Sequence, residues 1–187
     1  MNLAKILLIA AFLKGAPLYA EILFENSTED STAKWAAASG PITDVLIATL
    51  EDRDVLENEM REKGYRIGRT KILAEKKIAL SDSPGVYRFV RPATSPYVSY
   101  FYGAHNFQYW FMADSKVLFS SRSDKVTVLS SGRHGMKDIV VSNFSAAGRY
   151  WQEIKYAYGK DGYTAVSCRA YEAAKPEKRF ACTHEFR

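Results

Sequence analysis

Apolar positions are distributed differently in the two parts of the chain. From Tyr65 onward they fall in short runs separated by turn-forming residues, whereas the segment before Tyr65 is largely polar with one helical stripe. Val55, Leu56, Glu59, Met60 and Lys63 share helical spacing, Asp52 or Asp54 can cap that helix, and Gly64 can stop it, so a helix is predicted over this stretch. Val45 to Leu50 is a compact apolar run whose type, strand or helix, periodicity alone leaves open. The later runs predict strands at 65–73, 77–80, 86–91, 97–102, 107–112, 117–120, 125–129, 138–144, 150–158, 163–171 and 179–186. Turns so close together suit antiparallel hairpins and exclude right-handed βαβ crossovers, which need a dozen or more residues. The expected fold is α+β and mostly β: a twisted antiparallel meander sheet or a two-sheet sandwich with one packed helix, following an N-terminal signal peptide.

Three stretches are predicted: residues 1–20 as the signal peptide, 21–40 as a polar N-terminal arm, and 41–187 as a single α+β domain. In the first, Lys5 precedes the apolar run Ile6 to Leu13, and Gly15, Ala16 and Ala20 supply small residues for cleavage after Ala20. Lys14 and Leu18 fit a cleavage site poorly, and an uncleaved anchor is the other reading. No later segment approaches the ~20 apolar residues of a membrane-spanning helix, so the mature chain is expected to carry no membrane span. The arm, rich in alanine and polar residues, is expected to be mobile or to form a short helix over 30–38.

Export changes how Cys168 and Cys182 are read. In an oxidising compartment two cysteines favour a disulfide over a metal site or catalytic thiol, here stapling a C-terminal hairpin that turns between Ala174 and Lys178 around Pro176. The whole chain carries a net charge of +5, unevenly spread. Glu21 to Glu59 holds ten acidic and two basic residues, whereas Arg61 to Arg91 holds nine basic and three acidic. Such blocks either form solvated surfaces or mark a basic face for an anionic envelope component or an acidic exported partner. Nucleic acid is excluded by the modest charge and the lack of a binding motif.

Eight aromatic side chains fall within the fifteen residues from Tyr97 to Phe111. Alternation places Phe107, Tyr109 and Phe111 on one strand face with Gln108, Trp110 and Met112 on the other, so the strand is either buried between two layers or presents its second face to a partner. Tyrosine and tryptophan are favoured at interfaces, which makes Tyr100, Tyr102, Tyr109 and Trp110, with His105, Arg133 and His134 nearby, the candidate binding residues.

Gly135-Met136-Lys137-Asp138-Ile139-Val140-Val141 resembles the strand-entry motif of FG-GAP propeller blades but lacks their aspartate-rich calcium loop. Val90-Arg91-Pro92, Phe101-Tyr102-Gly103-Ala104-His105, Tyr109-Trp110 and His134-Gly135-Met136-Lys137-Asp138-Ile139 together resemble a group of small exported proteins of Gram-negative bacteria. The resemblance covers 90–141. It implies export to the periplasm or beyond, and no particular activity.

His105 lies in Gly103-Ala104-His105-Asn106 and His134 in the glycine-flanked loop 132–135. Should those loops meet, His105, His134 and Asp138 would form a His/His/carboxylate set, with Ser130 or Ser131 as nucleophile, suited to a small envelope hydrolase. The structural alternative has both histidines bonded to backbone groups in tight turns and Asp138 satisfying nearby N–H groups. No metal or cofactor is expected. The third histidine, His184, is remote in sequence, and no acid or cysteine sits at a ligand spacing. Size, signal, disulfide, charge asymmetry and the lack of a catalytic signature together predict a non-catalytic exported binding protein, an inhibitor or immunity-type protein against a secreted or cell-wall enzyme.

Overall fold

The computed structural model describes residues 20–145 and 148–182. The proposed signal segment, apart from Ala20, and His184 lie outside them. The described chain is mostly β, in two antiparallel sheets with two helices.

One sheet is a meander of β2 (Ala36–Ala37), β3 (Leu73–Lys77), β4 (Tyr87–Pro92), β5 (Phe107–Ala113) and β6 (Lys116–Ser123). The other is a meander of β7 (Lys125–Arg133), β8 (Met136–Ser145), β9 (Tyr150–Gly159), β10 (Gly162–Glu172) and β11 (Lys175–Phe180), with β1 (Ile22–Ser27) added beside β7. Only Asp124 separates β6 from β7, so the chain changes sheet at a single residue. Its buried carboxylate accepts the Phe144 N–H at 2.8 Å, fixing the corner to β8.

Two cores result, and β5 separates them. Trp110 and Met112 face α1 (Gly40–Ala48) and α2 (Arg53–Glu62), packing with Leu46, Ile47, Leu56 and Met60. Phe107, Tyr109 and Phe111 face the second sheet, packing with Val126, Val128, Ile139 and Val141. This is the buried-strand reading of the alternation: helices, first sheet, second sheet. Burying a large apolar side chain contributes on the order of 1.5–3 kcal/mol, so this strand anchors both layers.

The structure corrects several expectations. Residues 21–40 form no free arm, because Phe24 packs on Phe89 with ring centroids 5.0 Å apart and β1 pairs with β7 from Glu25↔Thr127 to Ser27↔Lys125. Among the described residues two helices are present instead of one, the ambiguous run at Val45 to Leu50 belonging largely to α1. The Ser39 hydroxyl caps that helix by accepting the Ile42 N–H, and Pro41 sits in its first turn, where a missing N–H costs nothing. No strand forms over 97–102. There the Glu59 carboxylate accepts the Ser99 and Tyr100 N–H groups at 2.6 and 2.7 Å and holds Ser99–Phe101 as a 3-10 turn.

Cys168 and Cys182 form the expected disulfide, with Cα atoms 6.2 Å apart. The hairpin it staples turns earlier than expected, at Ala173 and Ala174, leaving Pro176 in β11. That strand is the sheet's edge, where a proline and charged neighbours discourage further strand pairing. Among the described residues no helix is long and apolar enough to cross a membrane.

Candidate functional site

The residues singled out from sequence separate into three environments. Tyr109 and Trp110 are core: Tyr109 is sealed between the sheets with its hydroxyl bonded to the Ser123 hydroxyl at 3.0 Å, and Trp110 is edge-on to Phe101 beneath the helices. Burial pushes the Tyr109 phenol far above its ordinary value. Neither side chain reaches a surface, because both faces of β5 are covered, so the recognition role expected of these two is corrected.

His134 and Arg133 are exposed at the far end of the β7–β8 hairpin. His134 and Gly135 have φ of 52° and 76°, the two positive values that a two-residue type I′ turn requires. Around them Ser81 donates to the Gly135 carbonyl at 2.8 Å, and Lys137 reaches Asp82 at 2.5 Å. The imidazole of His134 has no part in these bonds. Asp138 lies along the same hairpin and is buried. One of its oxygens accepts the Ser131 hydroxyl at 2.7 Å and pairs with Lys155 at 2.7 Å; the other has no hydrogen-bond partner among the described residues.

His105 lies at the opposite end of the sandwich. Its carbonyl accepts the Thr28 hydroxyl at 2.6 Å, and Thr28 also bonds the Asp124 carbonyl just before β7 begins. The nine residues of β7 separate this corner from His134, and at about 3.3 Å per residue that is roughly 30 Å. The structure therefore does not bring His105, His134 and Asp138 together. Ser131 meets Asp138 and Lys155, with no histidine among its bonding partners.

What gathers around His105 is a pocket of about 270 Å³ lined by Thr28, Thr94, Tyr97, Tyr102, Gly103, Ala104 and His105. Tyr97 stacks on Tyr102 with centroids 4.8 Å apart and planes at 21°. Lys63, from the end of α2, sits over the Tyr97 ring at 5.7 Å and donates to the Tyr97 carbonyl at 3.0 Å. Tyr100, half-buried on the neighbouring turn, fixes this rim through its backbone N–H to Glu59. Glu59 is partly buried, which alone would raise its carboxyl. Lys63, Ser99 and Tyr100 donate enough hydrogen bonds to outweigh this and hold it at about 2.

Beneath the pocket lies Arg91, fully buried on the inward face of β4. Its guanidinium donates to the Asn26 side-chain oxygen and the Ser27 carbonyl, both at 2.6 Å, and lies over the Phe107 ring at 4.0 Å. It also makes a long 3.5 Å contact to the Thr28 carbonyl, so one pocket wall rests on it. Its Nε has no hydrogen-bond partner among the described residues. Burial lowers the guanidinium from its ordinary value, opposed by Tyr102 and by Asp30. Burial likewise raises the Tyr102 phenol, with Arg91 pulling it back.

Of the residues expected at a site, Tyr102 and His105 line this pocket and Tyr100 braces it. Arg91, Thr28, Thr94 and Lys63 were not anticipated. The one local signal was Arg91 itself: the alternation Tyr87, Phe89, Arg91 puts a cation at an inward position. Among the described residues no group of three or more histidine, cysteine or acidic side chains is placed to hold a metal ion. Comparison with protein-family models, curated proteins and solved structures gives no match.

Proposed function

We propose that the protein is an exported, non-catalytic binding protein, of the inhibitor or immunity type, that contacts another exported protein through the Tyr97–Tyr102–His105 pocket. The observation that carries this reading is the pocket itself. It is an open concavity walled by two stacked tyrosines and a histidine, braced from below by a buried arginine and from the side by Glu59. Amphipathic tyrosines with few rotatable bonds, set in a rigid frame, are the side chains that dominate protein interfaces. Periplasmic or secreted localisation is part of the proposal, supported by the signal-like N-terminal pattern and by a disulfide suited to an oxidising compartment. The alternative of a small hydrolase using His105, His134 and Asp138 has no shared geometry to support it.

The test is retention of a partner from a periplasmic extract at low salt, with wild type beside the Tyr97→Ala/His105→Ala double variant. The proposal expects a partner retained by wild type and lost by the variant. It fails if wild type retains none, or if both retain it equally.

A further inference from the structure

The two sheets differ in width, and one overhangs the other. Phe119 on β6 packs on Tyr156 of β9 and Tyr163 of β10, with ring centroids 4.8 and 5.7 Å apart, so the last strand of the first sheet stands above β9 and β10. The second sheet goes on to β11, every residue of which is exposed. Register shows what its inward face carries there. Ile139 and Val141 point into the inter-sheet core, and the positions opposite them and onward across the sheet are Tyr156 and Ile154 on β9, Cys168 and Ala170 on β10, and Phe180 on β11. Ile154, Ala170 and Phe180 belong to neither core, and Phe180 is 42% exposed. A cavity of about 170 Å³ opens on this floor, lined by Tyr150, Gln152, Ala170 and Phe180 among others. The Cys168–Cys182 disulfide ties the end of β11 to it.

The wall beside this floor is the edge of β6, the terminal strand of its sheet. The Asp114 N–H donates to the Val86 carbonyl, toward β4, so by alternation Phe111 and Tyr109 direct their backbone groups to β6, and their partners Phe119 and Ser121 direct theirs back. Ser120 and Arg122 are left with N–H and C=O aimed away from the sheet. Such an edge is a template for a further strand. The edge at β11 is blunted by Pro176, whereas β6 has no proline and no acid, and carries Lys116 and Arg122. Across the floor β11 adds Lys175, Lys178 and Arg179 against the single acid Glu177. The complement of this surroundings is an extended segment that alternates apolar with acidic side chains.

We propose that the β6 edge and the overhang of β9–β11 form an acceptor groove for an extended segment of another polypeptide. The segment pairs with β6 as a further strand of the first sheet, lays apolar side chains on Ile154, Ala170 and Phe180, and turns acidic ones to the cations at the rim. A strand spacing of about 4.8 Å and a sheet separation of about 10 Å put it directly over the floor. A second copy of this chain does not fit by antiparallel pairing, because its own second sheet would have to stand where the overhang already is. The groove goes beyond the Tyr97–Tyr102–His105 pocket and is independent of it.

The experiment selects binders from a displayed library of random heptapeptides on the purified protein, then titrates the most enriched peptide into ¹⁵N-labelled protein. Expected are sequences that alternate apolar with acidic or polar residues, and saturable shifts with slowed hydrogen exchange at the Ser120 and Arg122 amides. Affinity should fall about tenfold or more in Ser120→Pro, which removes an outward N–H at an edge position where proline is tolerated. Phe180→Lys, which puts a charge on the exposed floor, should weaken binding to a similar degree. Should Ser120→Pro not fold, the same peptide with alternate amides N-methylated removes those hydrogen bonds from the other side and decides the matter. Tyr97→Ala/His105→Ala should bind the peptide as wild type does. The proposal is overturned by any of four results: no enriched peptide, enriched sequences without alternation, shifts centred away from β6, or affinity unchanged by Phe180→Lys or by loss of the edge hydrogen bonds.

Discussion

The two glycine-flanked histidine loops look alike in sequence and differ in everything the fold adds. At 132–135 the glycine serves the backbone: a Cβ on Gly132 would lie 2.1 Å from the Met136 carbonyl oxygen, and Gly135 supplies a positive φ of 76°. His134 beside it is an exposed turn residue. At 103–106 the loop closes through the Gly103 N–H to the Asn106 carbonyl, and a Cβ on Gly103 would meet only the Asn106 side chain, at 2.3 Å. His105 there shares a pocket with two stacked tyrosines over a buried arginine. Spacing of chemically capable residues is thus a poor guide to a site; what converges on them decides.

That contrast can be broken or sharpened by substitution. The largest effect is expected for Arg91→Met, which leaves the Asn26 and Ser27 oxygens without their buried donor and should lower stability by roughly 3 kcal/mol in urea unfolding. A loss below about 1 kcal/mol would mean that Arg91 does not hold the pocket floor. Next, Gly132→Ala should cost about 2 kcal/mol, because the obstacle is backbone, while Gly103→Ala should cost under half of that, because an asparagine side chain can move. Equal costs would erase the distinction between a turn built on its glycine and one that is not.

Acid provides a third handle, specific to the pocket end. Glu59 has a folded value of about 2 against an ordinary 4.5, so its contribution is complete above about pH 4.5 and is lost as pH falls through about 2. Glu59→Gln should flatten the stability profile across that window. An unchanged slope would show that the Ser99–Tyr100 turn does not depend on the carboxylate. The smallest effect is expected for His134→Asn, which places a residue more tolerant of φ 52° in the type I′ turn and should raise stability by about 0.5 kcal/mol. Marked destabilisation would give the His134 imidazole a structural role.

The legible part of the fold was the part written in local periodicity. Phe107, Tyr109 and Phe111 alternate with Trp110 and Met112, and this pattern requires both faces of β5 to be covered, by two layers of the fold or by a partner. Val55, Leu56 and Met60 likewise give α2. What escaped depends on partners distant in sequence. The alternation of Ile22, Phe24 and Asn26 is too short to distinguish a strand from an arm, and its pairing strand begins at Lys125. Tyr97 to Tyr102 is aromatic enough for a strand, and nothing within it reveals that Glu59, some forty residues earlier, caps its N–H groups. Half of the site was named from sequence, through Tyr102 and His105. Its charge was missed because an inward-facing arginine acquires meaning only once Asn26, Ser27 and Thr28 are seen around it.

The central claim is that recognition belongs to the His105 end and not to the His134 end. The most direct measurement is partner retention from periplasmic extract by two paired variants, Tyr97→Ala/His105→Ala and Arg133→Ala/His134→Ala, each first shown to be folded. Retention should drop tenfold or more for the first pair and stay at the wild-type level for the second. The reverse pattern, or an equal loss in both, would contradict the account.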